Sequence, residues 1–478
     1  MKTLPDERKA DVRIAGGRVL TQDGPADADL LLAGGRIADL AEPGEGPAAA
    51  HTVRADGLLV LPGLVDAHTH SYAQLCRHGL ATDRLEPWLP GAVASGAGLT
   101  AEGAAVAATL SAVDALRHGA TTTLDHATLG EGHAQALVDA YSAVGARVAL
   151  AAQVQDVAFA DSLHGVAPDV RADVAAADTR GAPTTESQIL RCRELIEAAA
   201  GHDRITVLLG PSTPERCSGA LLDAVAALAA EHGLGLHVHL LETPQQRAGG
   251  DSLGILADHG LLRAGLSVAH GVHLDAADLA RLHEAGAALV HNPLSNLSLG
   301  SGRLDLRAVL EAGVTVGLGC DSWTTGGPQD PLAQARLALH NPRPEEPAAA
   351  WLTPGDVWAL AAAGGAAAIG LGDELGVLAP GAHADLLLVD PLAAGIIDGV
   401  DLPMQLVMGG LGHGLREAWV AGRPVLRDGL PLHVDLGAIA ARAAELQPAL
   451  AAATAEQQPL ADRLAALLSS TVPQTTVA

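Results

Sequence analysis

Two histidines one residue apart, His68 and His70, end the apolar run Leu61-Pro62-Gly63-Leu64-Val65-Asp66-Ala67-His68-Thr69-His70. On a strand, side chains at i and i+2 leave the same face, so both imidazoles point one way from a rigid support. That geometry chelates metal ions. Further along lie His237-Val238-His239-Leu240-Leu241-Glu242, then His270, then Asp321. Neutral imidazoles and one carboxylate can hold a divalent ion with a position open for water, while a second carboxylate beside it moves protons. This inventory is what metal-assisted hydrolysis requires.

The elements between these residues alternate helical patterns with short apolar strands, the signature of a parallel sheet built from βα units. Eight strands are predicted, at Leu61–Ala67, Ala120–Asp125, Arg147–Gln153, Ile205–Gly210, Leu234–Leu241, Leu266–His270, Ala287–His291 and Val314–Asp321. Thr100 and Ser218 are N-caps of helices that stop at Gly119 and Gly233. The fold class is therefore α/β, a (β/α)8 TIM barrel, whose chemistry sits at the C-terminal strand ends. His68 and His70 end the first strand, His239 and Glu242 the fifth, His270 the sixth and Asp321 the eighth. The segment from Asp156 to Pro183 is long and irregular, as an active-site loop or lid would be. Val357 to Gly372 reads as a buried helix.

Residues 11–60 read as short strands with glycine turns. Ile14-Ala15-Gly16-Gly17-Arg18-Val19 nearly repeats as Leu32-Ala33-Gly34-Gly35-Arg36-Ile37, and Val420-Ala421-Gly422-Arg423-Pro424-Val425 echoes both. Paired glycines suit hairpins. Residues 1–60 and 376–430 are expected to form one composite β-sandwich, 61–375 the barrel, and 431–478 a helical tail packed on the outside.

Composition narrows the function. A balance of 29 basic against 55 acidic residues repels nucleic-acid backbones and acidic membrane surfaces, and one Phe, two Tyr and five Trp leave little for stacking on bases. The four dispersed cysteines form no Cys-x-x-Cys, which excludes the zinc deaminase type built on that pair and suits a reducing cytoplasm. No apolar run reaches the length of a membrane span. The only lysines are Lys2 and Lys9, so neither a phosphate loop nor a Schiff base can be built further along the chain.

The ordered motifs resemble the amidohydrolase superfamily, in the branch of S-adenosylhomocysteine, guanine and cytosine deaminases and triazine hydrolases. The resemblance rests on Pro62-Gly63-Leu64-Val65-Asp66-Ala67-His68-Thr69-His70, His239-Leu240-Leu241-Glu242, Ala269-His270-Gly271-Val272-His273-Leu274, His291-Asn292-Pro293-Leu294-Ser295-Asn296 and Gly317-Leu318-Gly319-Cys320-Asp321. It implies a distorted barrel beside a sandwich built from both termini. It makes His68, His70, His239 and Asp321 the ligands of one zinc or iron ion, with zinc favoured. Glu242 and His270 become the catalytic pair, with Asp321 as general base. Related branches bridge two metals with a carboxylated lysine, which this barrel lacks. Hydroxide made available by the ion would attack an electron-poor ring carbon while Glu242 protonates the adjacent ring nitrogen and His270 orients the attack.

The implied function is deamination of a small nitrogen heterocycle of the cytosine, oxidised-guanine or related kind, in a homo-oligomer, as family members commonly form. One rival keeps the machinery and releases alkylamine or chloride, as triazine hydrolases do. The other is a catalytically silent binding or assembly relative, which predicts loss of a key residue. Trp88 and Trp323 are candidates to stack on a flat substrate or to pack in the core, Gln74 to donate to a ring carbonyl or to sit as a solvated loop amide, and His291 to contact substrate or to hold the Asn292–Asn296 loop. His237 is expected to be a hydrogen-bonded barrel histidine one layer below the ligands. Pro211-Ser212-Thr213-Pro214-Glu215 departs from the Pro-His-x-Pro-Tyr of S-adenosylhomocysteine deaminases, and Ser322-Trp323-Thr324-Thr325-Gly326-Gly327 reshapes the wall after Asp321.

Overall fold

A computed structural model describes residues 10–77, 83–343, 347–372 and 374–469. Eight parallel strands run in sequential order: Leu64–Thr69, Ala120–Thr128, Arg147–Val154, Ile205–Pro211, Gly235–Leu240, Leu266–His270, Ala288–His291 and Thr315–Leu318. An isolated parallel bridge between Thr69 and Asp321 joins the last strand's extension to the first. The fold is a TIM barrel. Its strands alternate between two apolar layers: on Arg147–Val154, Val148, Leu150, Ala152 and Val154 join the large core, while Ala149 and Ala151 join Val65, Ala67, Leu124, Leu208 and Val290. Ala366, Ala368 and Ile369 belong to that second cluster.

The first predicted strand, Leu61–Ala67, is two strands in two sheets. Leu59–Pro62 pairs antiparallel with Leu386–Val389 in a separate sheet, and Leu64–Thr69 opens the barrel. Both halves are buried, so their hydropathy is continuous and hides the break. Gly63 is the pivot: a Cβ there would stand 2.0 Å from Thr121 Oγ1.

The separate sheet has nine strands drawn from 10–62 and 386–431. Of the three similar glycine motifs, Gly34-Gly35 and Ala421-Gly422 are turns between antiparallel neighbours. Gly16-Gly17 is instead a bulge within the strand Ala10–Thr21, where the register with Gly24–Ala33 shifts. A Cβ on Gly17 would meet Val60 Cγ2 at 2.6 Å, so close packing rather than chain reversal requires that glycine.

The caps read from sequence are present. Thr100 and Ser218 side chains accept from Gly103 N and Leu221 N, and Gly233 closes the second helix at φ +66°. The buried helix expected over Val357 to Gly372 runs instead from Pro354 to Ala368 and is only mostly buried, with a π turn at Leu360–Gly364 before Gly365–Ala368. The C-terminal helix Leu436–Ser469 does more than coat the exterior. It buries Leu464 and Leu468 against Leu163, Val166 and Val174, and carries Gln457 to the wall of the main cavity. Among the described residues no single helix is long and apolar enough to cross a membrane.

Overpacking of a tight core typically costs about 1–3 kcal/mol. Gly63→Ala is expected to lower unfolding free energy by about that much, read by urea denaturation. Thr121→Ala in the same chain removes the two nearest atoms and should recover part of the loss.

Candidate metal centre and active-site cavity

Three imidazoles and a carboxylate converge where the strand ends meet. His70 Nε2 lies 3.2 Å from His239 Nε2 and 3.6 Å from Asp321 Oδ1, and His68 Nε2 lies 3.7 Å from the same oxygen. Ligands 2.0–2.1 Å from a tetrahedral zinc ion lie roughly 3.3 Å apart, so this spacing suits a shared cation. His68, His70 and His239 belong to one group of potential ligands, and His68, His270 and Asp321 to another.

The hydrogen bonds around these rings decide which nitrogens face inward. His70 Nδ1 donates to His126 O at 2.8 Å and His239 Nδ1 to Ser212 O at 2.7 Å, leaving each Nε2 as a lone pair. His68 Nδ1 lies 2.8 Å from His237 Nε2, and His237 Nδ1 lies 2.7 Å from Ser267 Oγ, whose hydroxyl can donate onward to Leu236 O. A proton on His68 Nδ1 lets this chain run in one direction, and frees His68 Nε2. That Nε2 is buried with no hydrogen-bond partner, a cost that a cation would remove. Burial depresses the pKa of His68, His237 and His239, so all three are neutral at pH 7. The residues present therefore fit a divalent ion.

Three non-glycine residues at the site adopt positive φ: Leu241 at +46°, His270 at +73° and Asp321 at +61°. Such strain concentrates where surrounding structure over-determines a functional side chain. Asp321 is held by its N–H to His68 O at 2.8 Å, by Thr69 Oγ1 to its own carbonyl at 2.9 Å, and by Ser295 Oγ on Oδ2. Glu242 is buried beside His270, with Oε2 3.8 Å from His270 Nε2 and Oε1 3.5 Å from Ser301 Oγ. Burial, opposed by His270, pushes its pKa up to about 7. His270 Nδ1 lies 2.9 Å from Asn296 Oδ1, which aims Nε2 at Glu242.

A cavity of about 510 Å³ opens on this centre, lined by His70, His239, Glu242, His270 and Asp321 together with Glu86 and Trp88. Trp88 is thus on the wall. Gln74 is not: its amide donates to Asp114 Oδ2 at 3.1 Å and accepts from Arg77 at 3.2 Å. Trp323 is also turned away, under the Arg77 guanidinium at 3.7 Å, and Ser322 and Thr325 line the cavity in its place. His291 is buried outside the lining. Spacing along the chain could not show which way these three point.

His126 lies one residue past the predicted end of the second strand at Asp125, so spacing alone does not bring it to the site. The strand continues to Thr128, and the His126 ring lies 4.7 Å from that of His239 with its Nε2 on Gly210 O at 3.1 Å. The segment 156–183 holds a short 3-10 turn, Phe159–Ser162, and a helix, Pro168–Ala177, and lines the cavity through Phe159, Leu163, His164 and Arg180.

Residues 59–413 match the amidohydrolase family. The chain belongs to that family. It is 32% identical over 454 residues to a 5-methylthioadenosine/S-adenosylhomocysteine deaminase of Halobacterium salinarum, covering 93% of this chain and 99% of the relative. It is 31% identical over 436 residues to an 8-oxoguanine deaminase of Pseudomonas aeruginosa, covering 86% and 92%. An adenosine deaminase from Xanthomonas campestris with bound zinc superposes with a TM-score of 0.82 at 25% identity, over 93% of this chain and 99% of that one. An atrazine chlorohydrolase from Arthrobacter aurescens shares the fold, with a TM-score of 0.80 at 24% identity over 91% and 99%. This amidohydrolase is an enzyme of C–N bonds in cyclic amidines.

Removing a group that orients a metal-binding histidine typically costs 10–100-fold in metal affinity. His237→Ala is expected to weaken zinc binding by about that factor, read by competition with a chromophoric chelator. His237→Asn, which can still accept from His68 Nδ1, should lose less.

Proposed function

We propose that this amidohydrolase deaminates a nitrogen heterocycle of the purine, pyrimidine or related kind, with one zinc or iron ion held by His68, His70, His239 and Asp321. An ion bound there would lower the pKa of water toward about 7 and make hydroxide available at neutral pH. The observation that carries the reading is Glu242: a buried carboxyl with a pKa near 7, facing His270 and sharing the cavity with Asp321.

Two carboxylates in unlike settings divide the proton work. Asp321, whose Oδ1 faces His68 and His70, accepts the proton of the attacking water. Glu242 donates to the ring nitrogen beside the attacked carbon, so negative charge does not accumulate on the ring. His270 Nε2, aimed by Asn296, faces Glu242 and orients the oxygen as it adds. The C–NH2 bond then breaks, ammonia leaves with the proton it needs, and the cyclic amidine becomes a lactam. Water and amidine balance ammonia and lactam, with no redox step. Trp88 on the cavity wall is placed to cover a flat ring.

The triazine-type rival uses the same residues and differs in the leaving group. Ammonia, alkylamine and chloride are therefore read separately on a panel of aminopurines, aminopyrimidines and triazines with the zinc-loaded protein. Ammonia from an aminopurine or aminopyrimidine is the expected result. Ammonia from none of them sinks the deaminase reading, and chloride or alkylamine release selects the rival. Glu242→Gln is expected to lower kcat by about 10²–10⁴ with metal content unchanged, since general acid catalysis contributes on that order.

A further inference from the structure

Thr69 stands between His68 and His70 on the first barrel strand, so its side chain points away from the imidazoles and toward the helix layer. It is buried there, and its hydroxyl donates to Asp321 O at 2.9 Å. With Asp321 N–H held by His68 O, both peptide groups flanking the Asp321 Cα are fixed, and the direction of its carboxylate with them. The acceptor side of the Thr69 hydroxyl is occupied by Gln329, a residue 2% exposed in the turn between Trp323–Gly326 and Pro331–His340. Gln329 Nε2 donates to Thr69 Oγ1 at 2.9 Å and to Ser111 Oγ at 2.6 Å.

The amide is mounted rigidly. Ser111 and Asp114 lie one turn apart on the helix Ala101–Arg117, and Asp114 Oδ2 accepts from the Gln329 main-chain N–H at 3.0 Å. The same carboxylate oxygen takes Gln74 Nε2 at 3.1 Å, which ties the mount to the turn that follows His70. Pro328 and Pro331 flank the position, and Asp330 caps the next helix. One oxygen is left over: Gln329 Oε1 is buried with no hydrogen-bond partner, which costs the folded protein free energy. Turning the amide over does not remove that cost. The oxygen would then draw the Thr69 proton away from Asp321 O, and two N–H donors would be orphaned in place of one acceptor. An amide kept at a cost to folding, with a donor on the hydroxyl that steadies Asp321, serves position rather than stability.

We propose that Gln329 is a positioning residue of the metal centre, whose N–H holds the Thr69 proton on Asp321 O and so sets the angle at which the Asp321 carboxylate meets the ion. The inference rests on the proposed ligand set and extends its support outward to the helix Ala101–Arg117. Gln329 touches neither ion nor substrate, and acts only through Thr69 and Asp321.

The test compares full-length Gln329→Met, Thr69→Val and the double variant with the unaltered chain. Methionine keeps the length of glutamine and removes both the donors and the orphaned oxygen. The urea midpoint of metal-free Gln329→Met is expected to equal or exceed that of the unaltered protein. Its zinc affinity, read by competition with a chromophoric chelator, is expected to fall about fivefold, the size typical of groups coupled through a packed network. Thr69→Val should fall by a similar factor, and the double variant no further than the larger single loss, because both changes break one chain of bonds. Zinc affinity within about twofold of the unaltered protein in Gln329→Met, or losses that multiply in the double variant, would overturn the proposal. A parallel fall in urea midpoint and affinity would do the same, as it marks a packing role. His239→Ala, run alongside, tests the ligand set itself: unchanged zinc binding there sinks the ligand set and the positioning role with it, whereas a large loss there beside an inert Gln329→Met removes the positioning role alone.

Discussion

The site depends on how the barrel closes. The eighth strand meets the first through Asp321, whose N–H donates to His68 O, while Thr69 Oγ1 donates to Asp321 O. One residue earlier, Cys320 N donates to Asp66 Oδ1 at 2.8 Å. The seam thus alternates backbone and side-chain bonds between two segments more than 250 residues apart in sequence. Closing it places the Asp321 carboxylate beside two first-strand imidazoles and holds Asp321 at a positive φ of +61°, a conformation aspartate tolerates better than most side chains. Structure and chemistry share the same few bonds.

Around that seam the supporting groups settle proton positions before any substrate arrives. Backbone carbonyls of His126 and Ser212 take the Nδ1 protons of His70 and His239, and His237 takes that of His68. Burial keeps His68 and His239 neutral and makes their inward lone pairs costly without a cation. The same burial raises Glu242 rather than lowering it, because losing water penalises the charged form of an acid and a base in opposite directions. In the function proposed, one dry pocket supplies both neutral imidazoles for an ion and a carboxyl that can donate a proton, from the same physical effect.

What could be read from sequence was local. A continuous apolar run ending in His-x-His, strand spacing and helix caps recovered the barrel and the ends at which its polar residues gather. What could not be read depended on facing. Gln74 and Trp323 lie close in sequence to metal motifs yet turn to Asp114 and Arg77, and His126 sits one residue beyond the predicted strand end. The change of sheet at Gly63 left no hydropathy mark because both halves are buried, and the clash of an added Cβ with Thr121 exists only after folding. Gln457, over 200 residues beyond His239, had no sequence signal linking it to the cavity.

The cavity separates what makes the reaction from what chooses the ring. The inward groups come from strand ends: backbone carbonyls orient His70 and His239, and the side chains of His237, Asn296 and Ser295 orient His68, His270 and Asp321. The walls come from the helix Leu85–Gly96, the segment 156–183, the turn 211–218 and the C-terminal helix. Substitutions in those walls can change shape and charge without touching a proton path. The exception is the turn after Asp321, where a Cβ on Gly326 would fall 1.4 Å from Cys320 O. That wall can vary at Ser322 and Thr325, but its backbone is tied to the strained aspartate. Relatives near 30% identity can therefore share one hydrolytic centre while acting on different heterocycles, because specificity and chemistry occupy different parts of the chain.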